Sequence, residues 1–457
     1  MTLNTAELLE EAVRYIDTGQ YDTALAQLKQ IVAFEKDNSI ILVEALVRMG
    51  RIFWHRGKYD QAQEILDNAE ELSVEHGYNQ LHGSTIRLMG NIAGDQGFPI
   101  EAKELYKKAL SIFQSIKDEY GIARCLNNLG VAHAEMGDYQ SAIHHYDQAL
   151  ELHRKNKDNI GEGSVLNNLG EISRFRGNYD EAEKLYRESL RKDLERGDRY
   201  GVALCWGNLG AVSYARKDYE EAKIRVQRAI ETFDSLGTYD LVYVEIRGLA
   251  VGILASTKEF ELGQEHLDKL WQAEGSLESE YATSICEFYS GVLTQKQGNL
   301  HTSRAHYMKC LKLAEKGMVF EYHLLSLIQL VELELQTYRM TQEDEYLDLM
   351  RERLDETLKI ASKHKSVGAQ VQLLTLSGFF HMENQQFLKG LEELAKAREL
   401  CEEKGFEAQI KKLDKDIEKV QRRIETSIEV STETPEQKLK RIEGYIEECQ
   451  RIVLASK

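Results

Sequence analysis

Asparagine side chains recur at 40-residue intervals in the middle of this 457-residue chain. One series is Asn127 and Asn167, a second is Asn128, Asn168 and Asn208, and Asn91 extends the row into the third repeat outside this spacing. A side-chain amide has donors and an acceptor that match those of a peptide bond, so such a row could hold an extended peptide backbone. The same amides could instead tie adjacent helices together, because buried amides must be hydrogen-bonded. Both interpretations stay open for Asn128, Asn168 and Asn208. We expect Asn127 and Asn167 to face a ligand.

Five arginines accompany the row of asparagines. They are Arg48, Arg51, Arg87, Arg124 and Arg174. A guanidinium group binds carboxylates through two parallel hydrogen bonds, so the five together predict a peptide-binding surface for an acidic or carboxylate-bearing partner segment. Each arginine taken singly could instead form a salt bridge with a Glu or Asp of a neighbouring repeat.

Patterns of catalytic and metal-binding residues are missing from the sequence. The histidines His144, His145, His153 and His306 have no carboxylate or cysteine at ligand spacing, and no G-x-S-x-G, P-loop or H-E-x-x-H string occurs. The six cysteines include no C-x-x-C pair, and three of them recur at one repeat position, which is typical of small buried side chains. We therefore expect no enzyme activity, no cofactor and no metal.

The charge of the chain limits its partners. Lys and Arg number 58 against 76 Asp and Glu, a net charge of −18, which disfavours nucleic acid and anionic membranes. The first residues lack the pattern of a signal peptide, and no uncharged apolar run approaches the roughly 20 residues of a membrane span. These features predict a cytoplasmic protein with no membrane partner.

Three sets of small residues with one period define the elements that carry these side chains. Gly50, Gly90, Gly130, Gly170 and Gly210 form one set, Gly57, Gly97, Gly137 and Gly177 a second, and Ala62, Ala102, Ala142, Ala182 and Ala222 a third. Small residues at a fixed period between apolar-periodic stretches indicate two closely packed helices per repeat. Only two prolines interrupt the chain, so it is expected to be helical nearly throughout.

One repeat shows how the sequence starts and stops its helices. Leu126, Leu129 and Ala132 form an apolar stripe on a first helix, and a second helix follows from Tyr139. Gly137 between them tolerates the positive φ that ends a helix. The acidic residues Asp138 and Asp218 follow these turns, and Asp118, Asp158 and Asp198 precede the next first helices, so all five are predicted to be N-caps.

The motifs of this repeat resemble the tetratricopeptide repeat. The resemblance is carried by Asn128-Leu129-Gly130, Gly137-Asp138-Tyr139, Ala142, Tyr146 and Ala149. The 40-residue length resembles the long repeats of kinesin light chain and of the Leu-Gly-Asn-rich adaptors. This resemblance implies an all-α, right-handed α-solenoid of about ten helical hairpins. It also implies a concave groove, lined by the first helices, that holds a peptide or helix of a partner protein. The Lys, Asn and Arg set with which chaperone-binding relatives hold a terminal carboxylate is not reproduced.

Two segments depart from the period. We predict an array over residues 1–400 with an insertion near 337–344, which places Leu347, Met350, Leu354 and Thr357 on the inner face of a second helix. Residues 401–457 are predicted to form C-terminal capping or extension helices, the last over 436–455. A heptad-like stripe at Ile410, Leu413, Ile417, Val420 and Ile424 either caps the array or forms a homo-oligomer through 406–457, and capping is favoured.

Two functions fit this sequence. The first is a non-enzymatic adaptor or scaffold that binds a partner peptide or helix in its groove. The alternative is a peptide-responsive regulator whose superhelix changes conformation on ligand binding, as in bacterial peptide-pheromone receptors with similar arrays. Such receptors usually carry an N-terminal effector module. The first repeat begins at about Thr5, which leaves no space for one, so the adaptor is favoured.

Overall fold

The computed structural model describes residues 4–17, 20–35, 39–277, 279–316, 319–363 and 366–429. Within these ranges the regular structure consists of 21 α-helices. The first ten are α1 (Thr5–Asp17), α2 (Tyr21–Phe34), α3 (Ile40–His55), α4 (Tyr59–Glu75), α5 (Asn79–Asp95), α6 (Pro99–Ser115), α7 (Glu119–Glu135), α8 (Tyr139–Lys155), α9 (Asn159–Phe175) and α10 (Tyr179–Arg196). The others are α11 (Arg199–Ala215), α12 (Tyr219–Leu236), α13 (Leu241–Thr257), α14 (Phe260–Leu277), α15 (Glu280–Lys296), α16 (Leu300–Lys316), α17 (Phe320–Thr341), α18 (Asp344–Lys363), α19 (Val367–Glu383), α20 (Phe387–Lys404) and α21 (Glu407–Glu429).

Helices α1 to α20 form ten consecutive hairpins of a first and a second helix. The turn inside most hairpins needs a residue with positive φ, as at Gly97 (81°) and Gly137 (71°). Lysine takes the same conformation at Lys217 and Lys258, both at 65°. The predicted all-α solenoid of tandem helical hairpins is confirmed.

Glycines in the first helices allow the two helices of a hairpin to pack closely. A Cβ atom on Gly90 would lie 2.5 Å from Tyr106, and one on Gly130 would lie 2.4 Å from Tyr146. Both tyrosines are buried beneath these glycines, with 4% and 2% of their surface exposed. The recurrent small residues are therefore required by steric contact between helices.

Aspartates cap the helices as the sequence predicts. Asp118 accepts a hydrogen bond from the backbone N–H of Gly121 (3.0 Å), and Asp198 accepts one from Gly201 (2.9 Å). Asp138 accepts from Ser141 (3.2 Å), at the start of the second helix of the same repeat. Pro99 occupies the first turn of α6, where a missing N–H is tolerated.

The chain forms two compact units. Within the described ranges, the first comprises residues 4–172 and 179–323, and the second comprises 173–178 and the residues from 324 onward. In the second unit α17 and α18 are longer than the other hairpin helices, with 22 and 20 residues. Leu347, Met350, Leu354 and Thr357 of α18 are buried.

The last described helix packs against the last hairpin. On α21, Leu413, Ile417 and Val420 are buried, as capping of α20 requires. The predicted helix 436–455 lies outside the described residues. None of the described helices combines the length and the apolar character needed to cross a membrane.

Candidate functional site

The asparagines form hydrogen bonds between successive first helices. The Nδ2 atom of Asn128 on α7 donates to Oδ1 of Asn91 on α5 at 2.7 Å. The same bond joins Asn168 on α9 to Asn127 on α7 at 2.9 Å, and Asn208 on α11 to Asn167 on α9 at 2.7 Å. Four first helices of the N-terminal unit are thus joined by side-chain amides. This geometry supports the tying role for Asn128, Asn168 and Asn208.

The asparagines that accept these bonds differ in the hydrogen bonds that their side chains still have free. Asn91 Oδ1 also accepts from the hydroxyl of Tyr106 at 3.1 Å, and Asn127 Nδ2 makes only a long contact of 3.5 Å to Asn128. For Asn167 the described residues provide a donor to its oxygen and no acceptor for its Nδ2 group. Asn127 and Asn167 therefore keep donors with which to bind a peptide carbonyl, and contact with a ligand stays a prediction.

Two of the arginines lie side by side next to the asparagine row. Arg87 precedes Asn91 by one turn of α5, and Arg124 precedes Asn128 by one turn of α7, so the Asn91–Asn128 bond places the two guanidinium groups on adjacent helices. Burial, together with the nearby charges of Arg124 and Arg51, lowers the pKa of Arg87 to about 10. No carboxylate among the described residues forms an ion pair with Arg87 or Arg124. Their positive charges are available to a ligand.

The remaining predicted arginines have other surroundings. Arg48 is paired with Glu44 on its own helix, with Nη2 and Oε1 2.5 Å apart. Arg174 lies 4.5 Å above the ring of Phe175, in the second compact unit. Arg51 is near Arg87, as the effect on the pKa of Arg87 shows. The structure therefore groups Arg51, Arg87 and Arg124 and gives Arg48 a local partner.

Carboxylates gather at the other end of the same first helices. Asp95 closes α5 and accepts hydrogen bonds from Trp54 Nε1 (2.7 Å) and the Tyr59 hydroxyl (3.4 Å). Glu135 closes α7 one period later, and both side chains remain open to water although protein surrounds them on most sides. Loss of bulk water and the charges of Asp95 and Glu321 raise the pKa of Glu135 to about 8. For Asp95, the loss of bulk water and the charge of Glu321 raise the pKa, and the hydrogen bonds from Trp54 and Tyr59 lower it. The first two effects are larger, so the pKa of Asp95 rises to about 6.

A third carboxylate reaches this cluster from a distant repeat. Glu245 on α13 accepts a hydrogen bond from the Tyr281 hydroxyl at 2.9 Å. Burial first, and then the charges of Glu321 and Asp95, raise the pKa of Glu245 to about 8. Carboxylates of α5, α7, α13 and α17 therefore lie close enough to affect one another inside the first unit.

Contacts between distant repeats enclose this carboxylate end. The hydroxyl of Ser279 donates to the carbonyl oxygen of Gly57 at 3.4 Å, and the rings of Tyr59 and Tyr281 have centroids 6.3 Å apart. A Cβ atom on Gly97 would lie 2.4 Å from Cβ of Phe320. The turns of the second and third hairpins therefore contact the starts of α15 and α17.

The repeats of this array match a known family. The sequence matches the tetratricopeptide repeat at residues 81–155 and 162–235, with further matches at 127–193 and 44–71. The structure shows the helical hairpins of that repeat in tandem. The chain is a tetratricopeptide repeat protein. These matches describe the tetratricopeptide repeat in general, and they do not support the narrower resemblance to kinesin light chain. No curated protein sequence matches the chain.

Several solved structures share the fold of this tetratricopeptide array. A Rap protein in complex with Competence and Sporulation Factor is 17% identical, with 79% of this chain and 99% of that chain covered and a TM-score of 0.52. NprR in complex with its cognate peptide NprX is 15% identical over 78% of this chain and 99% of that one, with a TM-score of 0.50. Aspartyl phosphate phosphatase F from Bacillus subtilis is also 15% identical, over 77% and 94%, with a TM-score of 0.50. At these identities the similarity shows the fold alone.

The carboxylates of the tetratricopeptide groove were missed by sequence reasoning. Asp95 and Glu135 stand one period apart at the ends of first helices, so their spacing was a usable signal. Glu245 and Tyr281 have no such signal, because their proximity to Asp95 depends on contacts between distant repeats.

Proposed function

We propose that this chain is a non-enzymatic binding protein that holds a peptide or helix of a partner against the first helices α5, α7, α9 and α11. The observation that carries the proposal is the pair Arg87 and Arg124, whose charges have no carboxylate partner among the described residues. They lie beside a continuous row of amides that can bind a peptide backbone. An adaptor or scaffold in the cytoplasm is the function that this surface fits best.

A regulator that responds to a peptide is the second candidate. Two proteins of similar fold were solved with Competence and Sporulation Factor and with the peptide NprX. The contact between the turn at Gly57 and Ser279 gives this chain a closure that a ligand could tighten or release. Such a ligand would act by binding the closed and open forms with different affinity.

A substitution that fills the groove tests binding. Ala211 on α11 is three periods after Asn91 and is partly exposed, so we expect Ala211→Trp to obstruct the groove without removing an asparagine. The matched control is Ser111→Trp at an exposed position of α6. We expect partners captured from a lysate of the source organism to bind the wild type and the control and to be lost with Ala211→Trp.

The outcomes separate the candidates. Equal capture by Ala211→Trp and by the wild type would exclude the groove as the binding surface. If a partner is captured, small-angle scattering of the wild type with and without it distinguishes the two functions. An unchanged radius of gyration favours the adaptor, and a changed one favours the regulator.

A further inference from the structure

The first helices of the third and fourth hairpins sort their charges along the helix axis. On α5, Arg87, Asn91 and Asp95 follow one another at four-residue intervals and therefore share one face. At 1.5 Å per residue, the Cα atoms of Arg87 and Asp95 are roughly 12 Å apart along the helix. A single helix face thus presents a cation, an amide and a carboxylate in that order.

The neighbouring helix repeats this order. On α7, Arg124 precedes Asn128 by one turn and Glu135 ends the helix. The 2.7 Å bond between Asn128 and Asn91 brings the two faces side by side in the same orientation. The arginines therefore lie together at one edge of the groove, and the carboxylates lie together at the other.

Each edge groups side chains of one kind, basic residues at one edge and acidic residues at the other. Arg124 and Arg51 lie near enough to Arg87 to lower its pKa. Asp95, Glu135 and Glu245 are surrounded by one another and by Glu321, and no cation contributes to the shifts of their pKa values. The two edges do not neutralise each other, because a row of asparagines separates them. Such an arrangement is stabilised by a ligand with the opposite sequence of charges.

Tyrosine hydroxyl groups position two carboxylates of this edge. Tyr59 donates to Asp95, Tyr281 donates to Glu245, and the two rings lie 6.3 Å apart across the contact between repeats. Tyr59 is only 4% exposed, so these hydroxyl groups position the carboxylates, and the carboxylates are the groups that a ligand can reach. A primary ammonium or a guanidinium group fits this edge.

We propose that the groove binds a bipolar peptide segment, with a carboxylate at Arg87 and Arg124 and a basic group at Asp95 and Glu135. An extended chain rises about 3.3 Å per residue, so roughly four residues span the distance. The charges can be the free termini of a short peptide, or acidic and basic side chains within a longer one. This inference rests on the proposed function and specifies the ligand of the same groove.

Five pools of synthetic tetrapeptides test the proposal. Four contain randomised Ala, Ser, Val and Leu with both termini free, with the N-terminus acetylated, with the C-terminus amidated, or with both ends capped. The fifth is capped at both ends and has Lys first and Glu last. The protein is incubated with each pool, separated by size, and the retained peptides are counted by mass spectrometry. We expect the free pool, the Lys/Glu pool, or both to be retained about tenfold over the pools with a single charge.

Charge-neutral variants assign each end of the ligand. In Arg87→Gln/Arg124→Gln, amidation should no longer reduce retention, whereas acetylation still should. In Asp95→Asn/Glu135→Gln, acetylation should no longer reduce retention, whereas amidation still should. Lys107→Gln, at an exposed position of α6, is the control and should behave as the wild type. A loss of structure cannot produce two opposite dependences, and thermal melting of each variant checks that it is folded.

The results distinguish this proposal from the proposed function. Equal retention of all pools would overturn the bipolar ligand and leave backbone binding in the groove intact. Retention of none, together with a lysate partner that Ala211→Trp loses, would also overturn the bipolar ligand only. Retention of none and no such partner would reject both. Retention of the Lys/Glu pool but not the free pool would assign the charges to side chains of a longer segment.

Discussion

Asn128 donates a 2.7 Å hydrogen bond to Asn91, which lies 37 residues earlier in the chain. Because equivalent bonds follow at Asn168 and Asn208, the amides fix the register of four adjacent first helices. The Asn91–Asn128 bond also aligns Arg87 and Arg124, each one turn before its amide. A row that supports the array thus also positions the groove.

The bond between Asn127 and Asn168 should contribute measurably to stability. A neutral hydrogen bond adds about 0.5–1.5 kcal/mol to the free energy of unfolding. We expect a coupling energy of this size in a cycle of Asn127→Ala, Asn168→Ala and the double variant. Urea unfolding followed by circular dichroism measures it. Strictly additive losses would show that the bond makes no net contribution.

Replacement of Gly130 by a larger residue should destabilise the folded protein. The added Cβ of Gly130→Ala would lie 2.4 Å from the buried Tyr146 ring, and such overpacking destabilises by about 1–3 kcal/mol. Gly94→Ala is the matched control, because its Cβ would be 3.9 Å from the nearest atom. That variant should be neutral or gain up to about 1 kcal/mol from helix propensity. Similar losses in both would refute the steric explanation.

Stability should fall as pH rises because of Glu135. Loss of bulk water, Asp95 and Glu321 raise its pKa from 4.5 to about 8 in the folded protein. Between these values the folded state holds a proton that the unfolded state has released, so the free energy of unfolding decreases with pH. Glu135→Gln removes this dependence and should raise the melting temperature most near pH 8. Melting curves from pH 5 to 9 test it, and parallel profiles for both proteins would contradict it.

Glu287 should show the opposite behaviour. Burial alone would raise its pKa, but hydrogen bonds from His306 (2.7 Å) and Lys309 (2.5 Å) outweigh burial and lower it. The stabilisation is present above the pKa of the unfolded state and is lost as pH falls through the folded value. Glu287→Gln should therefore lower the melting temperature at pH 7 and have less effect in acid. An equal effect at both pH values would argue against the ion pairs.

Arg225 should be the critical member of its ion-pair network. It is 6% exposed and lies 2.7 Å from both Glu183 and Glu221. Arg225→Ala removes the buried guanidinium group that joins both carboxylates, but Glu183 keeps Arg216 and Arg187, so the expected loss is about 1.5–3 kcal/mol. Arg187→Ala is the control, since Arg187 pairs with the same Glu183 at 2.8 Å but is mostly exposed, and it should cost less than about 1 kcal/mol. Denaturant unfolding of both variants provides the comparison.

Much of the array could be predicted because each repeat is stabilised by interactions within it and with its neighbours. The glycine at position 130, the turn glycine at 137 and the cap at Asp118 act within one hairpin or between adjacent ones, and all recur with the period. The asparagines could be named, but not their partners. Which amide donates to which depends on the offset between neighbouring helices, and periodicity does not specify it.

The carboxylate cluster could not be predicted in this way. Asp95 and Glu135 share a repeat position, but Glu245 belongs to the same cluster only because a distant hairpin approaches them. An acidic partner was expected because the prediction was based on the arginines alone. Once the carboxylates are placed, the groove offers sites for both signs of charge.

The repeat pattern alone establishes the helical hairpins, their turns, their caps and the face on which the asparagines lie. These features depend on interactions between residues within about one repeat, which a 40-residue period records. Tertiary structure decides what the groove encloses. Ser279 bonds to Gly57 across 222 residues, and this contact places tyrosines and carboxylates of distant repeats opposite one another. It arises from small rotations accumulated over successive hairpins, which no single repeat encodes.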